Sequence, residues 1–293
     1  MGHGHKSVCG EASQTGRQAC PSRRLALLAP SPVAARMCFN RVQVDTKRSE
    51  ELMFEMQTVR GSIYLEEGAI GLRDLTDGRH QLATDEGSWH LLVLDKEDRV
   101  CGCARYREYP GETDFSQLTV SCSALAHSDV WGPKLELAVE QELELSRQLD
   151  LPYVELGGWA LLEKIRGTTE AFRMAMATYG LSQLLGGAVG ISTVTRRNGS
   201  ASILRRIGGR PLRCKSVELP SYHDPGYGCE MEVLRFRSWA PNQRFQVWIE
   251  RIKAELSDIL VLAKGAATHV SVPSRPAQTP LPLANTLYKT ALA

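Results

Sequence analysis

Residues 153–209 read YVELGGWALLEKIRGTTEAFRMAMATYGLSQLLGGAVGISTVTRRNGSASILRRIGG, and the changes of pattern along them decide the fold. The run VELGGWALL is β-rich, TTEAFRMAMATYGLSQLL has helical spacing, AVGISTVT is β-branched, and ASILRRI is a short helix stopped by Gly208 and Gly209. Two strands joined by a helix form a βαβ unit, whose strands run parallel in one sheet. Their carboxyl ends then lie beside the N-terminus of the intervening helix, where free N–H groups and the helix dipole favour an anionic ligand. Gly157 and Gly158 interrupt the first strand, and glycine there implies either a packing contact or a bulge that lets the two central strands splay.

On the N-terminal side, residues 134–150 (KLELAVEQELELSRQLD) form an acidic helix, with Pro133 in the first turn of a helix spanning 132–149. Before it, residues 88–95 (SWHLLVLD) and 99–106 (RVCGCARY) pair as an antiparallel hairpin across Lys96-Glu97-Asp98, and Cys101 and Cys103 are expected to point to one face. Residues 111–130 fit strand and loop equally. The polar segment 71–87, with Asp74, Asp77 and Asp85, is a long loop, a class that often carries function. Ser49 caps a helix with an apolar stripe of Leu52, Met53, Met56 and Val59, and Arg60 and Tyr64 lie one turn apart if it continues through Gly61.

On the C-terminal side follow strands at 211–219 and 229–236, then an amphipathic helix over 241–264. Residues 1–40 and 265–293, rich in small residues and proline, are expected to be unstructured. The domain occupies 41–240 and is an α/β mixed sheet with helices on both faces.

Composition narrows the partners. A net charge of +2 in 293 residues does not suggest a nucleic-acid binder, yet residues 196–213 hold six arginines and no acid. Such a patch implies an anionic partner or a solvated basic face. The eight cysteines show no metal-ligand spacing and read as reduced thiols, which fits the cytoplasm. No apolar run approaches the roughly 20 residues of a membrane helix.

This element order and several residues within it resemble the GNAT superfamily of acyltransferases, in the branch of acyl-homoserine-lactone synthases and long-chain N-acyl amino acid synthases. Arg60 with Tyr64 looks like the family's arginine followed four residues later by an aromatic. Asp85 sits where the family carries an aspartate, and Arg105 falls on the arginine of its G-x-x-R-L strand. Glu163-Lys-Ile-Arg166 is similar to its Glu-x-x-Arg, and residues 227–236 (YGCEMEVLRF) look like the N-acyl amino acid synthases. Leu82 stands where lactone synthases have a second aspartate, and Ile70 where they have tryptophan.

The resemblance implies a fold whose central parallel strands splay around a pantetheine arm. It also implies transfer of an acyl group, long-chain in that branch, from acyl carrier protein or coenzyme A to the amine of an amino acid or related small molecule. It places Glu163 as catalytic base or as a partner of Arg166 or Lys164, and Gly158, Trp159, Arg166, Gly167, Thr168, Ser192 and Thr193 along the acyl donor. Arg60, Tyr64, Asp85 and Arg105 organise the acceptor pocket, and Arg196, Arg197, Arg205 and Arg206 dock an acidic carrier protein. No metal or covalently bound cofactor is implied. The alternatives are an acetyl-coenzyme-A-dependent acetyltransferase, an autoinducer synthase, and an acyl-ligand or carrier sensor without turnover.

Overall fold

The computed structural model describes residues 23–265. In chain order the elements are β1 Arg24–Ala29, α1 Pro32–Cys38, β2 Val42–Val44, α2 Thr46–Glu66, β3 Trp89–Leu94, β4 Val100–Tyr109, α3 Gly132–Gln148, β5 Tyr153–Leu161, α4 Glu170–Leu184, β6 Val189–Thr195, α5 Ser200–Ile207, β7 Arg210–Pro211, β8 Arg213–Cys214, β9 Val217–Glu218, β10 Tyr222–Asp224, β11 Cys229–Arg237, α6 Gln246–Asp258 and β12 Val261–Ala263. One sheet runs β10-β11-β6-β5-β4-β3-β1-β12-β2, with β7 added to β11. β5 and β6 are parallel, as expected of a βαβ unit, and β4 is antiparallel to both β3 and β5.

The sheet is covered on both faces. On one, Leu25, Leu27, Leu91, Val154 and Val194 pack with α1, α4, α5 and α6. On the other, Ala26, Leu28, Leu92 and Leu94 pack under α2, and Tyr153, Ile191 and Val233 under α3. Strand alternation divides the apolar residues between these layers. The mixed sheet with helices on both faces is thus as the sequence implies.

The ends of the described chain differ from expectation. Residues 24–38, placed in the unstructured extension, form β1 and α1. Leu25 to Leu28 are at most 2% exposed, so the run LALL is a strand buried on both faces, which needs no alternation. The prolines that break its apparent periodicity lie outside it: Pro30 follows the strand, and Pro32 starts α1, where its missing N–H costs nothing. At the other end, the expected helix stops at Asp258 and the apolar run continues as β12, inserted between β1 and β2. The expected tails at 1–22 and 266–293 lie outside the described residues.

Smaller corrections have equally local causes. Helix α2 begins earlier than Ser49, because Asp45 accepts a hydrogen bond from Arg48 N at 2.9 Å. Residues 111–130 form two short 3-10 turns, and 211–219 breaks into β7, β8 and β9. Cys101 and Cys103 lie on opposite faces, because the register slips by one residue between Val93 and Leu94 where β4 pairs with β3. Cys101, Cys103, Cys122, Cys214 and Cys229 are free thiols, and among the described residues no helix is long and apolar enough to cross a membrane.

Candidate active site

The site begins where β5 and β6 part. Their parallel pairing runs from Tyr153 opposite Val189 to Leu156 opposite Ser192 and stops there. Ser192 Oγ donates to Leu156 O at 2.9 Å at that last rung. Beyond it, β5 pairs only with β4, and β6 only with β11. The cause is a bulge: between Arg105 opposite Gly157 and Cys103 opposite Ala160, one residue of β4 faces two of β5. Gly158, in that bulge, has φ of +60°, where a side chain would be strained.

The gap opens into a cavity of about 700 Å³ reaching both faces of the sheet. On the α4 side it is apolar, lined by Leu161, Phe172, Met174, Ala175, Ile203 and Leu204. On the α2 side it is polar and aromatic, with Tyr64, His80, Thr84, Arg105, Glu155 and Tyr227. Every expected donor-binding residue lines it: Gly158, Trp159, Arg166, Gly167, Thr168, Ser192 and Thr193. Arg166 is held by its Nε donating to Leu161 O at 2.8 Å and by a 2.9 Å ion pair with Glu67. It therefore ties the turn before α4 to the end of α2 across the cavity mouth. Gly167, with φ of +72°, turns the chain so that the N-terminal turn of α4 faces the opening.

Glu163 requires correction. It is exposed in a 3-10 turn past the end of β5 and does not line the cavity. The cavity carboxylate on β5 is Glu155, 5% exposed, whose oxygens accept from the Tyr109 hydroxyl, from Thr119 N at 2.9 Å and from Val120 N at 3.0 Å. Burial, and then the neighbouring carboxylate, push the Tyr109 phenol up to about 12. A charged residue within an otherwise apolar central strand is the signal in the sequence that marks Glu155.

Of the acceptor-pocket set, Tyr64 and Arg105 line the cavity while Arg60 and Asp85 stand behind them. Arg60 donates from Nη1 to Asp85 Oδ1 at 2.9 Å and from Nη2 to Oδ2 at 2.6 Å. Burial alone would lower the Arg60 guanidinium and raise the Asp85 carboxyl, but their bidentate contact outweighs it, so Arg60 is raised and Asp85 lowered. The pair also fixes the loop after α2: Asp85 Oδ2 accepts from Leu82 N and Gln57 Nε2, both at 3.0 Å, and Arg60 Nη2 donates to His80 O at 2.5 Å.

That loop delivers His80, which sequence reasoning does not pick out. Its ring lies 5.6 Å from that of Tyr64, which meets Tyr227 edge-on at 6.2 Å. His80 Nδ1 is buried without a hydrogen-bond partner among the described residues. Burial, and then the Arg60 charge, hold the imidazole below its ordinary value, so it is neutral at pH 7 with a lone pair on the unprotonated ring nitrogen.

The proposed docking arginines lie outside the cavity, and three of the four are already engaged. Arg196 and Arg205 flank Glu232 at 3.3 Å and 2.5 Å, while Arg197 donates to the carbonyls of Glu67, Tyr227 and Gly228. Arg206 lies over the Phe172 ring at 5.1 Å. Glu232 on β11 thus offsets one of the six positive charges of residues 196–213. Among the described residues, no group of three or more His, Cys, Asp or Glu is placed to hold a metal.

No protein-family model and no curated protein matches the chain. Among solved structures, it is similar to a CoA-dependent acyl-homoserine lactone synthase, BjaI, with SAM and isopentyl-CoA. The two are 15% identical with a TM-score of 0.52, over 84% of this chain and 95% of that one. A second BjaI structure, with MTA, matches at 15% identity and a TM-score of 0.51 over the same shares. At this identity the likeness is one of fold alone, the fold of these acyl-homoserine lactone synthase structures.

Proposed function

We propose that the protein is an N-acyltransferase that moves an acyl group from a pantetheine thioester to a primary amine. The observation that carries this reading is the cavity passing through the sheet where β5 and β6 part, apolar towards α4 and polar towards α2. A thin pantetheine arm fits between the strand edges, its phosphates at the turn formed by Gly167 and Thr168, where the start of α4 offers N–H groups and a positive dipole end. The apolar lining takes the acyl chain, and its extent favours a chain longer than acetyl. The acceptor enters from the Tyr64, His80 and Tyr227 side.

The amine nitrogen attacks the thioester carbonyl, the C–S bond breaks, and an amide and a free thiol result. An α-amine with a pKa near 8 arrives mostly protonated at pH 7 and must lose a proton first. Neutral His80, with its unengaged Nδ1, is the proton acceptor this arrangement supports, directly or through one water. Glu163, exposed on its turn, has no part in this step.

For the donor, coenzyme A is favoured over acyl carrier protein, since Arg196 and Arg205 are turned onto Glu232 and Arg197 onto backbone carbonyls rather than held free for an acidic carrier. The isopentyl-CoA of the similar BjaI structure supports the same choice of donor. The deciding measurement is thiol release with a panel of acyl-CoA and acyl-carrier thioesters, with and without amine. Amine-dependent release is expected. Thioester binding with no release from any donor would leave the sensor reading in its place.

A further inference from the structure

Helix α6 and the turn before it are apolar on two sides. Phe245, Ile249, Ile252 and Leu256 turn inward and pack in the layer that holds α4 and α5. Val247 and Trp248 turn outward and are 61% and 54% exposed. Arg244, Val247, Trp248 and Arg251 recur at i, i+3, i+4 and i+7, so they form one outer ridge with an arginine at each end. Arg251 lies 5.2 Å over the Trp248 ring. Arg206, near the end of α5, joins the same corner, since its carbonyl accepts from Asn242 Nδ2 at 2.8 Å shortly before α6 begins.

The positive charge at this corner is uncompensated. Arg206, Arg244 and Arg251 are exposed, and none forms an ion pair with a described carboxylate. The acids of α6 are engaged elsewhere: Glu250 with Gln246 and Lys253, Glu255 with Arg173, and Asp258 with Asn40. The ridge also adjoins the acyl cavity. Phe172, which lines the cavity, stacks on Phe245 at 6.3 Å and lies under Arg206, and Trp248 is about one helical turn beyond Phe245. Apolar side chains therefore connect the cavity wall to this corner of the surface.

Two exposed apolar side chains are too few for the core of a stable protein interface, which takes roughly 800 Å² from each partner. They suit shallow insertion into lipid, where a tryptophan settles at headgroup level and arginines meet anionic headgroups. We propose that the α5–α6 corner docks the protein on an anionic membrane surface, with Val247 and Trp248 entering the interface and Arg206, Arg244 and Arg251 on the headgroups. The docking goes beyond the acyl-transfer reading and does not depend on it.

The test is co-sedimentation of the full chain with vesicles of phosphatidylcholine alone and of phosphatidylcholine and phosphatidylglycerol in equal parts. Binding to the anionic vesicles is expected, weakening as salt rises. Trp248→Gln, and Arg244→Gln combined with Arg251→Gln, should each weaken it about 10-fold or more while their urea denaturation midpoints hold. Equal binding to neutral and anionic vesicles, or binding to neither, would overturn the proposal. So would binding that both variants retain, which would assign attachment to another part of the chain. A dimer dissolved by the same substitutions, without vesicle binding, would give the face to a second copy and overturn membrane docking. Binding to an acidic carrier protein in place of vesicles would overturn it in favour of a protein partner. Vesicle binding is read without turnover, so a failure of thiol release would remove the transferase and leave the docking result standing.

Discussion

At the scale of single residues, the site depends on how few charges are left unpaired. The buried Arg60–Asp85 pair holds the loop that carries His80, so breaking it has both a stability and a catalytic consequence. Asp85→Asn leaves a buried guanidinium uncompensated and should cost about 3–5 kcal/mol, measured by urea denaturation. His80→Gln, by contrast, should leave stability nearly unchanged while turnover falls about 10²-fold. At saturating amine the acid limb of kcat lies below pH 6.5, because burial, Arg60 and Arg105 depress His80 more than Asp85 and Asp74 raise it. In His80→Gln that limb should move up towards the value near 8 of the amine itself. Glu163→Gln should turn over normally, and a loss of activity there would contradict the placement of Glu163 outside the cavity. The Glu-x-x-Arg spacing is matched by Glu163 and Arg166, but spacing does not fix where a strand ends. β5 runs to Leu161, and only a carboxylate inside it, Glu155, faces the cavity.

At the scale of elements, the two glycines in β5 are the part of the site most legible from sequence. A bulge is the local way to bend one strand from its parallel neighbour, and Gly158 occupies the left-handed conformation that the bulge needs. The closed end of the gap is equally specified: a Cβ on Gly190 would meet Val154 O at 2.4 Å, so only glycine lets β6 approach there. The loop between α2 and β3 is not legible in this way, since its shape comes from side chains distant in sequence. Gly61 in α2 shows the dependence, because an added Cβ would lie 2.9 Å from the backbone N of His80 and 3.0 Å from Leu75 Cδ2. Gly61→Ala should therefore displace the loop rather than merely favour the helix. We expect a loss of roughly 1–3 kcal/mol in denaturation and a raised KM for the amine with little change in that for the thioester.

At the scale of the whole molecule, one buried histidine ties stability to pH. His90 is 1% exposed, its Nε2 donates to Asp85 O at 2.8 Å, and burial pushes it down to about 4. Between pH 6.5 and about 4 the unfolded chain binds a proton that the native protein does not. The stabilisation is complete above pH 6.5 and is lost on acidification towards 4, by up to roughly 3 kcal/mol. Denaturation midpoints at pH 7 and 4.5 measure it, and His90→Gln should flatten the slope. The fold class is readable from alternating patterns, but the far edge of the sheet is not, since a short apolar run beyond a helix carries no mark of its strand partners. That edge has a consequence for synthesis. Because β12 lies between β1 and β2, β1 can pair with β3 on one side but lacks its other neighbour until residue 263 emerges. A nascent chain stalled before that point would hold an unpaired edge at β1, open to misassociation with other chains.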